Sequence, residues 1–183
     1  MRILAISGSL RKQSYNSAAL HIAQSLAPQG VFIEIFERIG EFPLFNPDLG
    51  DGNQFEAVVA LRERIRETDA VLVASPEYVH GVPGVLKNAL DWVVGTGELD
   101  GKPVGLINAT PALGGARWVR DALLEILNVM SANNVVPGAV LCLDGIRTRI
   151  DERGVVIDAE TGPLIQKCIE ALIDATSRKK AMR

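Results

Sequence analysis

The chain has 183 residues, 48% of them hydrophobic, with a formal net charge of -3. This supports one two-sided core over residues 1–183 and no linker between domains. With Lys and Arg scattered until the last few residues, it argues against a nucleic-acid or membrane-surface partner. No apolar run reaches the roughly 18 residues of a membrane-spanning helix, and Cys142 and Cys168 lack the spacing of a zinc or iron–sulfur site, so the expected setting is the reducing cytoplasm.

The N-terminal Met-Arg-Ile-Leu-Ala-Ile is too short for a signal peptide and reads as a first strand, Ile3 to Ser7. The strand leads into Gly8-Ser-Leu-Arg-Lys-Gln-Ser-Tyr-Asn-Ser17, which concentrates hydroxyls, an amide and two cations at a helix start. Free N–H groups and the positive end of the helix dipole attract an anion at such a place, and an arginine neutralises it with paired hydrogen bonds. The stretch reads either as a phosphate cradle or as a plain capped turn. It carries neither G-x-G-x-x-G nor G-x-x-x-x-G-K-[ST], which excludes a dinucleotide fingerprint and an NTP loop.

Further strands are expected at Val31 to Phe36, Ala70 to Ser75, Val104 to Ala109 and Val136 to Leu141, each apolar without alternation and therefore buried on both faces. Helical spacing lies between them: Ala18, Ile22, Leu26; Val58, Leu61, Ile65; Leu86, Leu90, Val93; Val119, Leu123, Leu127; and Leu164, Cys168, Leu172. Alternation of this kind predicts an α/β fold, a parallel sheet with helices on both faces, in the flavodoxin-like order 2-1-3-4-5. Pro83 is expected to open the third helix and Gly95 to end it. The loop Gly40 to Gly52 is longer than its crossover needs. Arg147 to Asp158 suggests a small hairpin, and the basic tail from Ser177 suggests fraying.

Ligands of such sheets sit at the carboxyl ends of the strands. Besides the cradle, this brings in Ser75-Pro-Glu-Tyr-Val-His-Gly-Val-Pro-Gly84, a stiff loop able to present backbone groups to a planar ring while Tyr78 offers a flat face. His80 reads as an acid or base, or as a surface residue. It also brings in Ala109 to Ala116, where Thr110 can donate and Gly114 and Gly115 permit close approach. Anion at one end and flat ring at the other describe one site.

Gly8-Ser-Leu-Arg-Lys-x-Ser-x-Asn16, Leu44-Phe-Asn-Pro-Asp-Leu49, Pro76-Glu-Tyr78, Pro83-Gly-Val-Leu-Lys-Asn-Ala-Leu-Asp-Trp92 and Gly114-Gly-Ala116 resemble, in order and spacing, the NADPH-dependent FMN reductase family, over Met1 to about Leu141. The resemblance implies non-covalent FMN, NADPH or NADH as hydride donor, a quinone, flavin or other small acceptor, ping-pong turnover, and a homodimer or homotetramer. It places the FMN phosphate on Ser9, Arg11, Ser14, Asn16 and Ser17 with Gln13 nearby. Pro76, Glu77, Tyr78, Val79 and His80 would lie along the ring, and Thr110, Gly114 and Gly115 would close the other side. No catalytic side chain is implied, because the flavin carries the chemistry. Val79 departs from the pattern, since relatives usually have Asn there. Trp92, Trp118 and the Phe42 to Leu49 loop are candidates for a subunit interface or for core. A flavodoxin-type electron carrier or flavin sensor remains the competing reading, although -3 is a feeble charge for steering a redox partner.

Overall fold

The computed structural model describes residues 1–114 and 116–182. Five strands, β1 (Arg2–Ser7), β2 (Phe32–Phe36), β3 (Ala70–Ala74), β4 (Val104–Ala109) and β5 (Val135–Leu143), form one parallel sheet in the order β2-β1-β3-β4-β5. This is the expected flavodoxin-like order. Five helices alternate with them: α1 (Tyr15–Ser25), α2 (Glu56–Glu67), α3 (Gly84–Val94), α4 (Arg117–Met130) and α5 (Thr161–Ala181).

Successive strand residues point to opposite faces, and both faces are covered. Leu4, Ile6, Val71, Val73 and Leu106 pack with α2, α3 and α4 through Leu61, Ile65, Leu86, Trp92 and Leu123. Ile3, Ala5, Leu72 and Ile107 pack with α1 and α5 through Leu20, Ala23, Ile165, Ile169 and Leu172. The expectation of full burial holds for β3 and β4, where every residue is buried. At the edges it fails: Phe32 on β2 is exposed, and β5 is mostly half-buried. An edge strand has a neighbour on one side only, and Pro137, which has no N–H to donate, is tolerated on β5 for that reason.

The long loop after β2 is clamped to α3. Trp92 Nε1 and Asn88 Nδ2 both donate to the Pro43 carbonyl, at 2.8 and 2.9 Å, and the Phe45 N–H donates to Asn88 Oδ1 at 2.7 Å. Buried Arg62 donates to the carbonyls of Asp51 and Trp92. Trp92 is therefore core, with Phe45 and Phe55 packed edge-on at 5.0 and 5.5 Å, while Trp118 is half exposed.

Two local expectations are corrected. Pro83 precedes α3 as its cap, not as its first residue, since its extended backbone lies outside the helix. The tail does not fray at Ser177: α5 runs to Ala181, because Lys179 donates to the Gly101 carbonyl and Asn134 Oδ1, and Lys180 pairs with Asp69 at 2.7 Å. No helix among the described residues is long and apolar enough to cross a membrane. Burial pushes the Cys168 thiol up to about 12, so it stays protonated and donates to the Ala139 carbonyl.

Candidate functional site

The carboxyl ends of β1, β3 and β4 are tied together before any ligand is considered. The Gly8 N–H donates to the Ala74 carbonyl at 2.7 Å, and Asn108 Nδ2 donates to the Ser75 carbonyl at 2.8 Å. Asn16, 2% exposed, reaches across from α1 to β4. Its Nδ2 donates to the Ala109 carbonyl and its Oδ1 accepts the Ala109 N–H, both at 2.9 Å.

Within the cradle the hydroxyls shape the chain. Ser14 caps α1, its Oγ accepting the Ser17 N–H. Ser7 Oγ accepts the Ser9 N–H and lies 2.8 Å from Ser17 Oγ, and Ser9 Oγ accepts the Arg11 N–H. A hydroxyl that accepts internally keeps its own proton to donate, so Ser9 and Ser14 remain donors toward an anion. The N–H groups of Tyr15 and Asn16, in the first turn, have no intrahelical acceptor. The Asn16 side chain is engaged by Ala109, so what this residue offers an anion is its backbone N–H.

One cavity of about 960 Å³ brings most of the predicted residues together. Ser9, Arg11, Gln13, Ser14, Asn16 and Ser17 line it on the α1 side, and Pro76, Glu77, Tyr78 and Thr110 on the β3 and β4 side. Val79, His80 and Gly114 are not among its lining residues, and Gly115 lies outside the described residues. The lining residues that sequence reasoning missed include His21 on α1 and Arg147, Glu152 and Arg153 in the segment after β5. That segment is a single 3-10 turn (Ile146–Thr148) followed by the expected hairpin, with Ile150 bridged to Val156.

The loop after β3 is held tightly. Tyr78 and Gly81 exchange both backbone hydrogen bonds, at 3.2 and 3.0 Å, around Val79 and His80 at φ 50° and 55°. Two consecutive positive φ values are the signature of a type I′ turn, normally made by Asn and Gly. Val79 is fully exposed and gains no packing in return. Glu77 Oε2 accepts the Val119 N–H at 3.0 Å, capping α4, whose own N-cap is Ala116 with no side chain to do so. A carboxylate at a helix N-terminus is favourable, so the Glu77 side chain is committed to α4 and not to a ring. His80 stacks on Trp118, centroids 5.6 Å apart.

The loop after β4 is fastened to the end of β5. The Thr110 N–H donates to the Leu143 carbonyl, the Ile146 N–H donates to the Thr110 carbonyl, and the Gly114 N–H, at φ 65°, donates to Asp144 Oδ2 at 2.9 Å. Thr110 Oγ1 accepts the Ala112 N–H, which leaves its proton free to donate. No group of three or more His, Cys, Asp or Glu side chains able to hold a metal occurs among the described residues.

Comparison with known proteins bears on what fills this site. A family model described as NADPH-dependent FMN reductase matches residues 1–145. An NAD(P)H-dependent FMN reductase of Pseudomonas aeruginosa is 36% identical over 174 residues, covering 94% of this chain and 93% of the relative. A quinone reductase of Pseudomonas putida is 40% identical over 172 residues, covering 92% and 90%. Among solved structures, the flavoenzyme NAD(P)H:(acceptor) oxidoreductase FerB of Paracoccus denitrificans superposes with a TM-score of 0.80 at 28% identity, covering 97% of each chain.

Two substitutions probe this geometry. Asn16→Ala leaves both backbone groups of Ala109 buried and unpaired, and lowers the stability of the ligand-free protein by at least about 2 kcal/mol in urea unfolding. Val79→Asn replaces a β-branched residue in the left-handed region with one that tolerates it, and raises stability by about 1 kcal/mol in the same assay.

Proposed function

The chain belongs to the NADPH-dependent FMN reductase family, and from that premise we propose that it is an NAD(P)H-dependent flavin oxidoreductase whose cavity holds FMN non-covalently and serves a quinone, flavin or other small acceptor. The observation that carries this is the meeting, in one cavity, of an α1 N-terminus rich in donors with the loops after β3 and β4.

The residues present suit FMN. A phosphate is met by the open N–H groups of Tyr15 and Asn16, by the free protons of Ser9 and Ser14, and by Arg11, whose guanidinium has no carboxylate partner among the described residues. Pro76 and Tyr78 supply a stiff backbone and a half-exposed aromatic face, and Thr110 supplies a hydroxyl donor. When bound, the FMN supplies the hydride relay between nicotinamide donor and acceptor. The protein's part is to hold the phosphate at α1, keep the two loops rigid, and leave one opening in which donor and acceptor take turns. A shared opening implies ping-pong turnover. Both cysteines as free thiols suit a cytoplasmic setting.

We read the assembly as a homodimer or homotetramer. Tyr78, Val79, Leu113 and Trp118 are exposed apolar side chains on the loop after β3, the loop before α4 and the first turn of α4, and Leu44 and Phe45 are exposed on the clamped loop. A second subunit that covers such a rim completes the pocket. Light scattering at micromolar concentration is expected to give a dimer or tetramer. A monomer with full FMN occupancy rejects this assembly.

The purified protein is expected to be yellow or to reconstitute with FMN, to bleach with NADPH or NADH, and to give parallel double-reciprocal plots. Arg11→Ala is expected to weaken FMN by about 1.5 to 3 kcal/mol, the range of a charge-assisted hydrogen bond. A colourless protein that FMN cannot reconstitute overturns the function, and intersecting plots overturn the shared opening.

A further inference from the structure

The cavity does not end at the cradle. It continues along α1, past Tyr15 and His21, to a wall formed by Arg147 and the hairpin from Ile150 to Ile157. The phosphate donors of the cradle and the two loops account for the FMN, which leaves the Lys12 side chain, the Tyr15 ring and the hairpin side of the lining unassigned, as an outer compartment. The cavity as a whole, at about 960 Å³, stands at the top of the usual range for a single small-molecule site.

Charge in the compartment is unevenly spent. Asp151 is saturated: its carboxylate accepts the N–H groups of Arg153 and Val155 and pairs with the Arg153 guanidinium at 3.0 Å. The Val155 N–H, followed by Arg153, holds that carboxyl below its ordinary range. Asp158 and Glu160 are both taken by Arg149. None of these acids is left to neutralise Arg147. Lys12, which stands in the cradle stretch but outside the set assigned to the FMN phosphate, lines the same cavity and likewise has no carboxylate partner among the described residues. Glu152 is the opposing charge, exposed on the hairpin with no cation on it among those residues. The same cavity is lined by the half-buried ring of Tyr15 and the exposed side chain of Ile157. A flat apolar face in one cavity with two unspent cations is suited to a base carrying a phosphate.

We propose that this outer compartment holds the phosphorylated adenosine half of NADPH, with Arg147 and Lys12 on the 2′-phosphate. The inference rests on the flavin reading, because a nicotinamide that must reach a ring near Tyr78 and Thr110 leaves its adenosine to extend away from that point. It assigns donor preference to a segment outside the strand-end loops: Arg147 distinguishes NADPH from NADH, and Glu152 opposes it.

The test uses the FMN-loaded protein with 2′,5′-ADP and 5′-AMP as probes in calorimetry, alongside steady-state kinetics. Wild type is expected to bind 2′,5′-ADP more tightly than 5′-AMP and competitively with NADPH. Arg147→Ala is expected to raise the ratio of KM for NADPH to KM for NADH by about tenfold, with partial recovery in Arg147→Lys and the opposite shift in Glu152→Gln. FMN occupancy is expected to persist in all three variants. No preference for 2′,5′-ADP, an unmoved KM ratio in Arg147→Ala, or loss of FMN from that variant overturns the assignment while the flavin reading stands. Failure of wild type to take up FMN, with 2′,5′-ADP still bound through Arg147, overturns the flavin reading and leaves the compartment assigned.

Discussion

The site depends on a buried amide. Asn16 presents a donor and an acceptor to the two backbone groups of Ala109, at 2.9 Å each, and so fixes the first turn of α1 against the end of β4. Strands β1 and β4 are not neighbours in the sheet, since β3 lies between them. Without a bridge over β3, the anion end and the loop after β4 would be placed only by their separate strands. Because both partners are buried, breaking the pair leaves polar groups without water, which makes the geometry stiff. Asn108, donating to the Ser75 carbonyl, repeats the device between the adjacent strands β4 and β3. A cavity open to solvent thus stands on two buried amides, Asn16 paired through both its groups and Asn108 through its Nδ2 alone, its Oδ1 being buried without a partner among the described residues.

Stiffness continues outward by borrowing. Helix α4 begins at Ala116, a left-handed residue with no capping side chain, and takes its cap from Glu77 on the loop after β3. That loop in turn holds Val79 in a conformation a branched residue resists, kept there by the paired hydrogen bonds of Tyr78 and Gly81 and flanked by His80 on Trp118. The loop after β4 leans on Leu143, the last residue of β5, and on Asp144 just after it. Each loop completes its hydrogen bonds on its neighbour, so the edge behaves as a unit, and strain at Val79 is supported by contacts that lie elsewhere in the chain.

The sheet order and the position of the three strand-end loops were legible because they follow from local pattern: apolar blocks alternating with helical spacing leave few topologies. The roles within those loops were not. Asn16 and Glu77 look like ligand residues in the sequence, being polar and at strand ends, yet their partners Ala109 and Val119 lie 93 and 42 residues away. No local signal separates an amide that holds a phosphate from one that holds a strand. The extent of α5 was hidden for a similar reason. A basic, polar tail frays when its charges face only water, but Lys179 and Lys180 find Gly101, Asn134 and Asp69. The hairpin after β5 was visible, whereas its position beside α1 emerges only once β5 sits next to β4 and α5 returns across the same face.

Net charge is a poor guide to this cavity. A chain at -3 would be expected to repel an anionic ligand weakly, and the local field depends instead on which cations have been neutralised. At the amino ends of the strands Arg2, Arg64, Arg66 and Lys180 are each paired with Glu34, Glu67, Glu98 or Asp69. At the carboxyl ends the acids other than Glu152 are occupied otherwise: Glu77 on a helix, Asp144 on a glycine N–H, Asp151 on its own turn. Arg11, Lys12 and Arg147 are therefore left facing one cavity without a carboxylate partner among the described residues. The acids consumed in building the loops are what leave that end of the sheet attractive to phosphate, so folding and anion selection here draw on the same side chains.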